Sequence, residues 1–284
     1  MIIREALIQA KKILTTAKVS SANLDAELIL IHCIKKSREF IYTYPEKKLT
    51  TTQEKSFLKN IKARSKFIPV AQIIQQKDFF ELSFIVTKDV LTPRPETEIL
   101  VEETIKIVKN NYNSKVTIAD IGTGSGAIAI TLAKNLPQAT ILATEKSTKA
   151  LWIAKQNARR HKVKLKLFQG DLLTPIKNEK IDILVANLPY VEKNLNNHID
   201  STETKGLKFE PSLALYSGFD GLDAYRKLFQ QIKKTSMLPR FILIEHGNKQ
   251  SSTLKKIIKN ALAKAKTQLI KDLAGLPRIT IISI

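Results

Sequence analysis

The sequence predicts an α/β fold: a mostly parallel sheet covered by helices on both faces, preceded by a helical bundle and a β-hairpin. Three observations carry this. After Ser114, short β-branched apolar runs alternate with amphipathic helical ones, the pattern of a parallel sheet with crossover helices. The first of those runs ends in a glycine-rich loop, Gly122-Thr123-Gly124-Ser125-Gly126. Before residue 67 there is no glycine at all, and apolar residues recur at helical spacing.

The helical region comes first. Ile3, Leu7, Ala10, Ile13 and Leu14 share one face of a helix, and Leu24, Leu28, Ile31 and His32 mark a second. Ser20, Ser21 and Asn23 are candidate N-cap residues for the second, and Thr50 to Gln53 open a further helix in the same way. From Pro69 onward Ile73, Phe79, Phe80, Leu82, Phe84 and Val86 predict a hairpin. The expected organisation is a helical docking domain over 1–68, a hairpin linker over 69–91 and a catalytic domain over 92–284.

In the catalytic part, strands are expected over 116–121, 139–143, 164–168, 181–186, 240–244 and 278–284. Helices are expected over 99–109, 127–135, 148–161, 220–235 and 252–264, and the lysines of 249–271 read as a solvated helix face. Trp152 is expected to pack beneath the second helix of the α/β part.

Composition bounds the function. The 284 residues carry 47 Lys+Arg against 26 Asp+Glu, a net charge of +21. That charge attracts polyanions, although a general lysine bias would produce it equally well. One cysteine, Cys33, excludes an internal disulfide and a multi-cysteine zinc site, and no metal site is expected. No apolar run reaches the length of a membrane span, and the N-terminus has no signal-peptide pattern. A cytoplasmic protein is expected.

The chemistry lies at the strand ends. Glycines at every second position of 122–126 let the backbone turn sharply and approach a ligand, with helix N-terminal amides facing it. The spacing is neither the dinucleotide fingerprint nor a P-loop. Glu145, at the end of the second strand, can accept both hydroxyls of a ribose. Asp171 closes the third strand and suits an adenine amino group. The fourth strand ends in Asn187-Leu188-Pro189-Tyr190. There the Asn187 side-chain oxygen and the Leu188 carbonyl can accept both N–H bonds of a planar amide or amine, with Tyr190 packed on its face. Such a nitrogen is a poor nucleophile, so its orientation matters. His246 beside Glu245 reads as a structural histidine, since neighbouring strand residues point to opposite faces. Arg94 and Glu96 read as ordering the loop over the bound ligand or as a helix-start ion pair, and His32 and Cys33 as packing.

In order and spacing these features resemble the class I (Rossmann-like) S-adenosylmethionine-dependent methyltransferases. Val90 to Glu98 (VLTPRPETE), Glu210 to Leu215 (EPSLAL) followed by Gly218 to Leu222 (GFDGL), and Phe241 to Gln250 (FILIEHGNKQ) resemble motifs of the peptide-chain release factor glutamine methyltransferases. That resemblance implies S-adenosylmethionine bound by Gly122, Thr123, Gly124, Ser125, Gly126, Glu145, Asp171, Leu172 and Asn187. It implies a target glutamine, that of the GGQ motif of release factors, held by Asn187, Leu188, Pro189 and Tyr190 as the catalytic and substrate-binding group. It further implies a release-factor partner gripped by the helical domain, with neither a membrane nor an obligatory nucleic acid. Three departures stand out: Leu188 replaces the usual first proline of NPPY, Glu145 replaces the commoner Asp, and Gln75 and Glu81 stand where the family often has glycines. Methylation of adenine in rRNA or DNA, methylation of a ribosomal-protein glutamine, and a basic scaffold without turnover remain the alternatives.

Overall fold

A computed structural model describes residues 1–193, 202–234 and 238–284, with only the backbone for 202–204. Two compact units are present, one formed by Met1–Gln76 with His198–Phe209, the other by Lys77–Asn197 with Glu210–Ile284. The division falls between Gln76 and Lys77, so nearly all of the hairpin belongs to the second unit.

The first unit contains α1 (Ile3–Thr16), α2 (Ala22–Ile34), α3 (Arg38–Thr43), α4 (Thr51–Arg64), α5 (Val70–Ile74) and α9 (Thr202–Leu207). At the start of α4, Thr50 accepts from the Gln53 amide while the Gln53 side chain accepts from the Thr50 amide, a reciprocal cap that satisfies two otherwise orphaned donors. The start of α2 departs from expectation. Ser21 occupies the N-cap position, but its hydroxyl donates to Asp25 Oδ2 at 2.8 Å and caps no amide.

Helix α2 also turns a different face inward from the one its spacing indicated. Ala22, Ala26, Ile29, Leu30 and Ile34 are buried, whereas Leu24, Leu28 and His32 are exposed. The helix is apolar nearly all round, so periodicity alone could not choose. The choice is made by Asp25, buried on that inner face, whose Oδ2 receives Arg64 Nε of α4 at 2.6 Å. Arg64 also donates to the Ile68 carbonyl at 3.2 Å, tying the end of α4 to the chain that follows.

Past Pro69 the chain first makes the single helical turn α5, so Ile73 is helical and not part of the hairpin. The hairpin strands are β1 (Gln76–Phe79) and β2 (Leu82–Ile85). Gln75, Phe80 and Glu81 have φ of 55°, 49° and 62°. The turns therefore keep the left-handed backbone that favours glycine, with ordinary side chains in its place.

In the second unit, α6 (Glu98–Asn111) leads into β3 (Thr117–Ile121), α7 (Ala127–Asn135), β4 (Thr140–Glu145), α8 (Thr148–Arg160), β5 (Lys166–Gln169) and β6 (Ile183–Ala186). Then come α10 (Ser212–Leu215), α11 (Asp223–Lys233), β7 (Phe241–Glu245), α12 (Ser251–Ala261), β8 (Lys266–Lys271) and β9 (Pro277–Ser283). Among the described residues the strands form a seven-stranded sheet in the order β5-β4-β3-β6-β7-β9-β8. The first five are parallel neighbours, and β9 runs antiparallel to β7 and β8.

Strands β3, β4, β6 and β7 are buried almost throughout, as a sheet covered on both faces requires. One face packs against α6 and α7 with the hairpin's Phe79 and Phe84, the other against α11 and α12. From β3 the chain moves outward through β4 to β5, then returns to β6 on the other side. The carboxyl end of β3 is thus a topological switch point, where open α/β sheets form their crevice.

Two expectations are corrected here. Residues 266–271, read as the end of a helix face, form the edge strand β8, whose lysines keep it wet. Trp152 is 61% exposed, because α8 turns Leu151 and Ile153 inward and leaves position 152 outside. Among the described residues no helix is long and apolar enough to cross a membrane.

Since Asp25 and Arg64 are each below a tenth exposed, Asp25→Ala strands an uncompensated guanidinium. A loss of about 3 kcal/mol is expected for the first unit, read by urea unfolding; an unchanged midpoint would contradict this role of the pair.

Candidate active site

At the carboxyl end of β3 lies a cavity of about 660 Å³, within the range for small-molecule sites. Each wall comes from a sequence segment singled out above. The glycine loop is the floor. Gly122 and Thr123 donate to the Thr144 carbonyl at 2.9 Å each, fastening the loop to β4. Gly124, with φ of 56°, lines the cavity and would point a Cβ into open space, so its backbone is unobstructed there. Gly126 does a different job. It does not line the cavity; with φ of 84° it starts α7, where a Cβ would lie 2.9 Å from Ile130 Cδ1 and 3.3 Å from Ala154 Cβ. It permits close packing of α7 on α8.

Glu145 closes β4, nearly buried but on the cavity wall. Its Oε2 accepts from Gly124 N at 2.9 Å and its Oε1 from Ser147 N at 2.7 Å. A carboxylate has about four acceptor directions, so two are filled and the others are available to hydroxyl groups. Asp171 lies just beyond β5, not within it, and is ion-paired through Oδ2 with Lys227 of α11. Its neighbour Leu172 takes φ of 54°, and both face the cavity.

Asn187, Leu188 and Pro189 follow β6 and line the opposite wall. The Asn187 amide is anchored by its nitrogen: Nδ2 donates to Thr97 Oγ1 and to Glu245 Oε2, both at 2.9 Å. Both N–H bonds are thereby taken, and the amide oxygen is left as the free end. Leu188 is buried, and its N–H donates to the Tyr225 hydroxyl at 3.2 Å, a bond that a proline at this position could not make. Tyr190 does not line the cavity. Its hydroxyl donates to Glu245 Oε1 at 3.0 Å, and burial beside that carboxylate pushes its pKa well up.

Residues that sequence reasoning passed over, together with Arg94, which it read as ordering a loop, belong to this arrangement. Thr97, in the PRPETE segment, is buried at the cavity wall and donates to Glu245 Oε2 at 2.7 Å. Glu245 itself ends β7, fully buried, with burial raising its pKa. It stands at the end of a fifth parallel strand, and the same strand-end rule that picked Glu145 and Asn187 applies to it. Arg94 pairs with Glu210 at 2.6 Å, joining PRPETE to EPSLAL; Pro93 and Leu213 on either side also line the cavity. Gln250 Nε2 donates to the Tyr190 carbonyl at 2.8 Å and to the Asp220 carbonyl at 2.9 Å. His246 faces away, with Nδ1 2.9 Å from the Gly247 carbonyl and Nε2 2.9 Å from Thr280 Oγ1. Among the described residues no cluster suited to a metal is present.

Residues 96–203 match the methyltransferase small domain family and residues 5–74 the PrmC N-terminal domain family. The release factor glutamine methyltransferase of Coxiella burnetii is 37% identical over 98% of both chains, and that of Xylella fastidiosa strain 9a5c is 35% identical over 95% of this chain and 96% of its own.

The chain belongs to the release factor glutamine methyltransferase family.

It is accordingly an S-adenosylmethionine-dependent protein-glutamine N-methyltransferase. Solved structures show the same fold at lower identity. A methyltransferase from Pyrococcus furiosus has a TM-score of 0.50 at 17% identity over 82% of this chain and 98% of its own. The hMettl16 catalytic domain has 0.58 at 15% identity over 81% of each. The residues present suit the methyl donor of this family: an unobstructed glycine at the loop, spare acceptor directions on Glu145, and a cavity of adequate volume.

Asp120, under the loop, accepts from Thr123 Oγ1 at 2.6 Å through Oδ2, while its Oδ1 has no hydrogen-bond partner. Complete burial raises its pKa from 3.8 to about 7, against the opposing effect of Thr123 and with a smaller push from Glu145. Between about pH 4 and about pH 7 the folded protein therefore holds a proton that the unfolded chain releases, and stability falls as pH rises through that window. Asp120→Asn removes this titration. Its stability relative to wild type should increase across the window by an amount on the order of a few kcal/mol and then level off, as read by urea unfolding over a pH series. Parallel wild-type and variant profiles would contradict this.

Proposed function

We propose that the acceptor is the side-chain amide of the glutamine in the GGQ motif of peptide chain release factors, and that Asn187, Leu188 and Pro189 hold it. The observation that carries this reading is the anchoring of the Asn187 amide nitrogen by Thr97 and Glu245, which leaves an acceptor oxygen at the cavity wall. The family name borne by full-length relatives supports the choice of acceptor.

The donor supplies a methyl group on an electrophilic sulfonium. The contribution of the chain is orientation. A carboxamide nitrogen delocalises its lone pair into its carbonyl, so it reacts only when held in a narrow range of geometry. Asn187 Oδ1 and the Leu188 carbonyl are the two acceptors proposed to take its N–H bonds, as a matched pair whose absence would leave a buried donor unsatisfied. The proposed donor-side set is Gly122, Thr123, Gly124, Ser125, Glu145, Asp171 and Leu172. The polar groups of Gly122, Thr123, Gly124, Ser125, Glu145 and Asp171 have partners within the chain that hold them in place. Tyr190 and Gly126 act in this reading as supports of the site and not as its walls. The helical unit is proposed to dock the protein substrate, without need of nucleic acid, in the cytoplasm.

Purified protein with methyl-labelled S-adenosylmethionine should label an intact release factor and not a variant whose GGQ glutamine is alanine, nor rRNA, nor ribosomal protein. Label on rRNA or ribosomal protein would overturn the acceptor assignment. Leu188→Pro keeps the carbonyl but deletes the N–H bond to Tyr225. It should lower stability by about 1 kcal/mol while turnover stays within about threefold. A stable but inactive variant would count against the carbonyl's role.

A further inference from the structure

Three donors from two separate segments, the PRPETE turn and the NLPY turn, converge on one buried carboxylate. Thr97 Oγ1 and Asn187 Nδ2 both donate to Glu245 Oε2, at 2.7 Å and 2.9 Å, and the Tyr190 hydroxyl donates to Oε1 at 3.0 Å. Thr97 is also the second acceptor of the Asn187 amide, at 2.9 Å, so its hydroxyl serves as both donor and acceptor in a closed triangle. The backbone of Glu245 is held as well, because its carbonyl accepts from the Tyr225 hydroxyl, the group that also receives the Leu188 N–H. Glu245 and Tyr225 are completely or almost completely buried.

An amide has two ends of similar shape and opposite polarity. Nothing in the covalent structure of Asn187 decides which end faces the cavity. An anionic acceptor behind it does, because turning the amide over would set its oxygen against the carboxylate and lose both bonds that Nδ2 donates, to Thr97 Oγ1 and to Glu245 Oε2. Such buried charge-assisted bonds are stronger than neutral ones, and a carboxylate rather than an amide is needed because donors arrive at both of its oxygens.

We propose that Glu245 is a positioning residue for methyl transfer: it holds Asn187 with its carbonyl oxygen toward the acceptor nitrogen and pins Tyr190 in the same act. This deepens the reading above and rests on it, since it takes Asn187 as the group that orients the substrate amide. Glu245 touches neither substrate nor donor. A glutamine in its place has one acceptor oxygen and a competing donor, so either Asn187 or Tyr190 loses its partner while shape and volume are kept.

The test uses the full chain, S-adenosylmethionine and an intact release factor, with single-turnover labelling so that slow variants remain measurable. Glu245→Gln should lower the rate of methyl transfer by tenfold or more, with cofactor affinity and the KM for release factor within about threefold of wild type. Thr97→Val should lower the rate in the same direction and Thr97→Ser should restore it; this pair carries the test if Glu245→Gln does not fold. Glu245→Gln placed in an Asn187→Ala background should cost nothing further, because residues acting through one another are not additive. The proposal is overturned if Glu245→Gln transfers methyl at the wild-type rate, if it costs the same factor with and without Asn187, or if cofactor affinity falls as far as the rate. Should Asn187→Ala itself be as fast as wild type, the reading of Asn187 fails first and takes the proposal with it.

Discussion

Burying a carboxylate in the core of a sheet is costly unless every donor it needs is brought to it. At Glu245 those donors come from positions far apart in the chain: Thr97 before α6, Asn187 and Tyr190 after β6. The requirement to satisfy that one group ties the PRPETE turn, the NLPY turn and the end of β7 into a single body. Gln250 completes the frame by holding the Tyr190 carbonyl and the Asp220 carbonyl together. Gly221 permits this approach, since a Cβ there would lie 2.1 Å from the Tyr190 carbonyl oxygen. Residues scattered over about half the chain length thus define one short wall of the cavity.

The opposite wall is built on a similar economy of groups. Glu145 receives backbone donors from the glycine loop and from the start of α8, so the carboxylate organises its surroundings while retaining acceptor directions toward the cavity. Asp120 lies beneath, buried and only partly satisfied. Buried carboxylates thus lie under the glycine loop and behind the NLPY turn, each held by donors from the surrounding chain. Leu188 fits the same logic. Where it departs from the family's usual proline it acquires an N–H, and the Tyr225 hydroxyl accepts it.

Much of this was legible before the fold was known. Strand–helix alternation, the loop 122–126 and the polar residues after each strand indicated an α/β sheet with its site at the carboxyl edge, and the sheet order places them there. What was missed had physical reasons. Helix α2 is apolar on all sides, so spacing could not distinguish its buried face, and Asp25 with Arg64 decided it. Strand β8 is an exposed edge strand rich in lysine, a composition indistinguishable from a solvated helix. Trp152 looked like core because of its size, yet its place on α8 put it outside. Glu245 was passed over because its neighbour His246 invited a pairing that strand geometry forbids.

The strand–helix alternation from β3 to β7, the sharp turn of the glycine loop and the chemical types available at each strand end follow from the residues alone, because local sterics and hydrophobic periodicity are short-range. Which end of the Asn187 amide faces the cavity, that the Tyr190 hydroxyl meets the Glu245 carboxylate, and that Gly126 packs closely against α8 were decided only when distant segments met. Hydrogen-bond satisfaction of buried groups is a long-range condition, and it has no signature in any single stretch of the chain.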